Sequence, residues 1–120
     1  MPLEPIETKS RPYRPRRTHG DRLQEALLVV AEAQGTILSH RETPWASITF
    51  SGARHEIVLD FAGPEAVAAG ERFIAALPEL EFTIPGQLVA DATVSEVNHT
   101  MLPHPRLAVT ATLLLLVDEG

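Results

Sequence analysis

The chain contains no cysteine in its 120 residues. This absence excludes disulfide bonds, thiol nucleophiles and every metal site built on cysteine. A cysteine-free chain fits a reducing compartment, and we therefore expect the protein in the cytoplasm. Residues 1–5 show no cationic start followed by an apolar run, so we also expect no secretory signal.

Long apolar runs are missing as well. The longest covers only residues 113–117, whereas a membrane-spanning helix needs ~20 apolar residues. We therefore expect no contact with a membrane. The length of the chain predicts one domain, large enough to bury a two-layer core without covalent cross-links.

The sequence lacks the short motifs that carry common enzyme chemistry. It has no glycine-rich phosphate-binding loop and no Gly-x-Ser-x-Gly turn that would present a nucleophile. Its serines and threonines are typical of the outer face of a sheet, where they are common for their β-propensity. We therefore assign no catalytic residue, no cofactor and no metal, and we favour a non-enzymatic protein.

Cations are scarce outside the N-terminus. Residues 1–17 hold five cations and two acids, whereas residues 18–120 hold five cations and fourteen acids. An acidic body repels phosphate backbones and anionic lipid, so we expect no nucleic acid on it. Residues 1–17 also hold four of the ten prolines, which predicts a flexible basic tail. The tail is either a solvated arm or a contact for an acidic partner or nucleic acid.

Residues 18–120 read as a single domain with two amphipathic helices. The first is predicted over residues 21–34, capped by Thr18 or Asp21 and stopped by Gly35 in the left-handed conformation. The second begins at residues 63–65, with a proline in the first turn, and ends at Pro78.

Alternating apolar and polar residues predict the strands. Pro44 interrupts the first stretch, which suggests a bend or an edge position, and residues 51–53 are typical of a tight turn. The segments expected to be strands are 36–41, 46–51, 55–61, a short one at 81–84, 87–97 and 106–117, with a loop at 98–105.

The predicted element order is αββαββ, which belongs to the α+β class. The simplest arrangement is a two-layer sandwich, with a four-stranded antiparallel sheet and both helices on one face. Residues 113–117 are apolar on both faces of their strand, which favours a central position for the last strand. This order resembles a circularly permuted ferredoxin-like sandwich, a fold type that hosts many unrelated functions.

The sheet face opposite the helices is the main candidate interface. Alternation places Val58, Val89, Leu114 and Leu116 on that face among polar residues. A half-apolar face is typical of a subunit interface or a pocket wall, so we expect a homodimer. Trp45, at the rim, is either an interface anchor or a cap on the core. The candidate interface residues are Trp45, Val58, Leu114 and Leu116.

Polar residues suggest a weaker alternative, a small-ligand site or enzyme pocket near residues 98–105. His99 and His104 lie in that segment, and Asp60 and Asp91 are predicted on the sheet face opposite the helices. The alternative interpretation assigns these residues no function: the histidines lie in a surface loop, and the aspartates belong to the solvent-exposed polar side of the sheet. His55 follows the inward alternation at a strand start, and we interpret it as a sheet-end histidine.

Overall fold

The computed structural model describes residues 18–118, so the predicted basic tail, residues 1–17, lies outside the described residues. The described part follows the predicted αββαββ order. Its elements are α1 (His19–Val30), β1 (Thr36–Ala46), β2 (Ser51–Ala62), α2 (Pro64–Ala76), a 3-10 turn (Leu77–Glu79), β3 (Gln87–Thr100) and β4 (Arg106–Val117).

The four strands form one sheet in the order β1-β2-β4-β3, and every neighbouring pair is antiparallel. The last strand is therefore central, as its two apolar faces predict. The α+β class and the two-helix, four-strand architecture are confirmed. The resemblance to a permuted ferredoxin-like sandwich stays a prediction.

One side of the sheet and the two helices enclose a single core. On β2, Ile57, Leu59 and Phe61 point to this side, and they lie opposite inward residues of β4 in the antiparallel register. Helical periodicity on α1 and α2 supplies the second layer, since both helices bury one apolar stripe. The buried cluster includes Leu23, Leu27, Ala31, Val67, Phe73, Leu77, Leu107, Val109, Ala111, Leu113 and Leu115.

Helix α1 begins where its cap predicts and ends earlier than expected. The Thr18 hydroxyl accepts from the Asp21 amide at 3.0 Å, and the Asp21 carboxylate accepts from the Thr18 amide at 3.1 Å. This reciprocal pair satisfies two amides at the helix start. The predicted end was wrong: Glu32 and Ala33 adopt the left-handed conformation, both with φ of 58°, rather than Gly35. Arg72 holds the turn through two 2.7 Å hydrogen bonds to the Glu32 carboxylate.

Ala33 is a non-glycine residue in the left-handed conformation, which is expected to cost stability. Ala33→Gly should raise the free energy of unfolding by about 1 kcal/mol, because glycine has no Cβ to clash at positive φ. The same substitution at the exposed Ala75 in α2 should lower it by about 1 kcal/mol, through lost helix propensity. Urea unfolding of both variants checks the opposite signs, and equal signs would contradict the assigned turn.

Helix α2 packs very closely against the sheet. It starts with Pro64 at its first turn, as predicted, after Gly63 with φ of 97°. Gly70 faces the sheet: a Cβ there would lie 2.7 Å from Leu107 Cδ2 and 2.8 Å from Phe61 Cδ2. The missing side chain therefore sets the separation between helix and sheet.

The first hairpin differs from its prediction. Pro44 does not interrupt β1 but pairs with Ala53 inside the strand, which is tolerated because β1 is an edge strand. The turn is formed by residues 47–50 rather than 51–53, and the Phe50 amide donates to the Ser47 hydroxyl at 3.1 Å. The predicted strand 46–51 was therefore wrong, and most of it is the hairpin loop.

The structure of residues 81–105 also differs from the prediction. Residues 81–84 contribute one isolated bridge, Ile84 to Gln87, and not a strand. Strand β3 extends through Thr100, so only residues 101–105 form the loop. Bulges at positions 90 and 95 shift its register, and each bulge reverses the alternation. Val89 consequently packs on the core, not on the opposite face as predicted.

Candidate interface and a buried histidine pair

The open face of the sheet is the side that points away from both helices. Neither helix covers it. At the end nearest the first hairpin, Trp45, Gly52, Leu116 and Leu88 lie in register across the four strands. Leu116 is 7% exposed, whereas Leu88 is 51% exposed. This row is the most apolar part of the open face.

The adjoining rows mix apolar and polar side chains. Leu114 is half-buried between Arg54 on β2 and Asp91 on β3. Farther along, Val58 lies beside Thr110. Hydroxyl groups fill the centre of the face, and the Ser95 Oγ and Thr112 Oγ1 atoms are hydrogen-bonded at 2.8 Å.

The open face is nearly neutral although the domain is acidic. Among residues 18–118 it carries three cations and four acids, whereas the remaining surface carries two cations and nine acids. Two ion pairs lie on it, Arg41 with Glu56 at 3.5 Å and Arg106 with Asp60 at 2.8 Å. The charged members of the face are Arg41, Arg54, Glu56, Asp60, Asp91, Glu96 and Arg106.

The loop of the first hairpin extends the apolar row. Ile48 is fully exposed, and Phe50 is half exposed. Together with Leu88 and Val117 they line a shallow cavity of about 460 Å³. Exposed aliphatic and aromatic side chains grouped in this way are typical of interaction surfaces.

The four predicted ligand residues do not converge. Both oxygens of Asp60 accept from Arg106 at 2.8 Å. Asp91 lies in the row of Leu114, six positions along β4 from the Asp60 row, which is ~20 Å at strand spacing. His99 is the penultimate residue of β3, and His104 lines a separate depression of about 520 Å³ beside Pro64.

Neither a metal-ligand cluster nor a membrane-spanning helix is found among the described residues. Within residues 18–118, no group of three or more histidine, aspartate or glutamate side chains is arranged to hold a metal ion. No helix in this part of the chain is long and apolar enough to cross a bilayer.

A histidine pair between α1 and the sheet, of which His55 is buried and His40 half-buried, was not predicted. The His40 Nε2 and His55 Nδ1 atoms are 2.8 Å apart, and Gln24 Nε2 lies 2.7 Å from His40 Nδ1. His55 is only 2% exposed. The chain of contacts therefore runs from α1 through β1 to β2.

The tautomers follow from the Gln24 amide. Its N–H donates to His40 Nδ1, so the proton of neutral His40 is on Nε2 and is donated to His55 Nδ1. Both nitrogens of His40 are thus engaged. The pair connects α1 with the sheet through these two contacts.

Burial lowers the pKa of both histidines below the ordinary value of 6.5, and the nearby Glu42 carboxylate opposes this effect. His40 and His19 lower the pKa of His55 further through charge repulsion. The pair is consequently neutral at pH 7.

Sequence alternation predicted the position of only one member of the histidine pair. It placed His55 inward, but it could not place His40 because the bulge at Leu38 changes the register of β1. Without the bulge His40 would point to the open face.

Comparison of the chain with protein-family models, with curated proteins and with solved structures finds no match in any of the three.

Proposed function

We propose that this protein is a small non-enzymatic domain that binds a second copy of itself through the open face. The observation that carries the proposal is the apolar row of Trp45, Leu116 and Leu88 on a face that the two helices leave uncovered. Leu88, the most exposed member of this row, would be covered if two sheets packed face to face across a two-fold axis.

Charge favours a second copy as the occupant. Most of the described surface is strongly acidic, so two copies repel each other there. The open face carries nearly balanced charges, with Arg54 and Asp91 on either side of Leu114. A two-fold axis that runs parallel to the strands over Leu114 would bring Arg54 of each copy near Asp91 of the other, so this face is the least repulsive approach.

The size of the face supports the same occupant. Four strands of 11 to 14 residues present roughly 700 Å² at ordinary strand spacing. A standard interface buries ~800 Å² on each partner, and the exposed hairpin loop adds to the sheet area. The proposal also keeps the cytoplasm as the compartment, from the absence of cysteine, and the permuted ferredoxin-like arrangement as the fold type.

Leu114→Glu tests the proposal directly. It places one carboxylate per copy in the middle of the contact, and we expect at least a hundredfold weaker association because buried unpaired charges cost several kcal/mol. Leu88→Glu, at a more exposed edge position, should act in the same direction with less risk to folding. Native mass spectrometry of wild type and variants measures the subunit count and any retained ligand mass.

The matched control is Val29→Glu on α1, since Val29 is exposed on the opposite side of the domain. We expect a dimer for wild type and Val29→Glu, and a folded monomer for the other two variants by circular dichroism. A monomeric wild type, or dimers in all four proteins, would contradict the proposal. A wild-type monomer that carries added mass would point instead to a ligand site.

A further inference from the structure

We infer that Gln24, His40 and His55 form a proton-operated latch, which holds α1 on the sheet at neutral pH and releases it in acid. The inference is independent of the proposed dimer, because the latch lies on the helix side of the sheet.

The geometry of the contacts carries the inference. The two imidazoles meet through one hydrogen bond of 2.8 Å, and the second bond joins them to α1 at 2.7 Å. Their ring centroids are 5.1 Å apart and the planes are tilted by 54°, so the contact is edge-on and not stacked. An N–H···N hydrogen bond of this kind requires one protonated nitrogen as the donor and one unprotonated nitrogen as the acceptor.

The latch tolerates one added proton but not two. If His40 Nδ1 takes the first proton, the Gln24 amide can turn over and accept it with its oxygen. A second proton on His55 Nδ1 would set two N–H groups against each other at 2.8 Å. The bond between the rings is then lost, and one of the charges lies where only 2% of His55 is exposed.

Charged neighbours modify this response without removing it. Asp21 on α1 and Glu42 on β1 favour the protonated forms, whereas His19 on α1 disfavours protonated His55. On the other side of His55 the register partner on β4 is Leu113, which offers no charge. Among the described residues, no hydrogen bond reaches the remaining nitrogen of His55, so the buried cation gains no partner there.

The direction of the pH effect follows from these contacts. Burial lowers the pKa of both histidines from 6.5 while α1 is docked, and release returns them towards that value. Below about pH 6.5 the released form therefore binds more protons, and docking weakens as the pH falls. Above that pH the docking contribution is fully present and constant.

Hydrogen–deuterium exchange at pH 7.5 and pH 5.0 tests the latch in the intact chain. After correction for the chemical pH dependence of exchange, the opening of α1 should rise on the order of tenfold in acid, the equivalent of one lost side-chain hydrogen bond. The amides of β2 and β4 should change less. His55→Leu should make α1 opening independent of pH, whereas the exposed-histidine control His104→Ala should behave as wild type.

Equal α1 protection at the two pH values would overturn the inference, as would an unchanged acid response in His55→Leu. A second measurement does not depend on that variant folding. In an NMR titration of the wild-type imidazoles, the pKa of His40 and the pKa of His55 should both lie below the ordinary value of 6.5. Protonation of both rings at or above that value would overturn the inference as well.

Discussion

Phe61→Ala should lower the free energy of unfolding by about 3–5 kcal/mol, the range for removing a fully buried aromatic ring. Phe61 is 0% exposed on the central strand β2. Its ring lies 5.9 Å from that of Phe73 in α2, between centroids. The ring also packs against the backbone of α2 at Gly70, so its removal leaves a cavity at the contact between the helix and the sheet.

Urea unfolding followed by far-UV circular dichroism gives the measurement. The control is Leu102→Ala, which removes a large apolar side chain that is 80% exposed in the 101–105 loop, and it should change stability by less than about 0.5 kcal/mol. A loss below about 1 kcal/mol for Phe61→Ala would mean that the two layers do not meet at this ring.

Gly52→Ala should destabilise the protein by about 3 kcal/mol, at the upper end for added atoms in a packed region. A Cβ on Gly52 would overlap the Leu115 carbonyl oxygen and lie 2.8 Å from Leu116 Cα. These are backbone atoms of the neighbouring central strand, so no side chain can rotate away. The pairing of β2 with β4 must therefore open at the hairpin end.

Trp45, the sole tryptophan, reports on that opening, since it lies in register with Gly52. We expect its emission to shift to longer wavelength in Gly52→Ala even before global unfolding. Ser51→Ala, a change at the preceding exposed position, should leave both emission and stability close to wild type. A Gly52→Ala protein with wild-type emission and stability would refute the close approach of the two strands.

Regular alternation explains which strands could be predicted. On β2 and β4 the alternation continues without a bulge from Ile57 to Phe61 and from Leu107 to Leu115, and both inward sets were assigned correctly. On β1 and β3 an extra residue at Leu38, Ala90 or Ser95 shifts the register. A bulge depends on pairing with a neighbouring strand, which sequence alternation does not record.

The same limit decides what could be predicted of the candidate sites. Val58, Leu114 and Leu116 lie on the open face because β2 and β4 are regular, and their role as an interface stays a prediction. Leu88 was missed and Val89 misplaced, since the bulge at Ala90 separates them from the rest of β3. The histidine pair joins side chains 15 residues apart, and only the β1–β2 pairing brings them together.

The two edge strands also bear on how far association can proceed. Pro44 removes a donor from β1, and bulges distort both β1 and β3. Irregular edges of this kind are poor templates for adding strands from other molecules. Chains therefore cannot readily extend the sheet edge to edge into a fibre, and face-to-face pairing uses up the single open face of each copy. If two copies pair face to face as proposed, growth by that route would stop at the dimer.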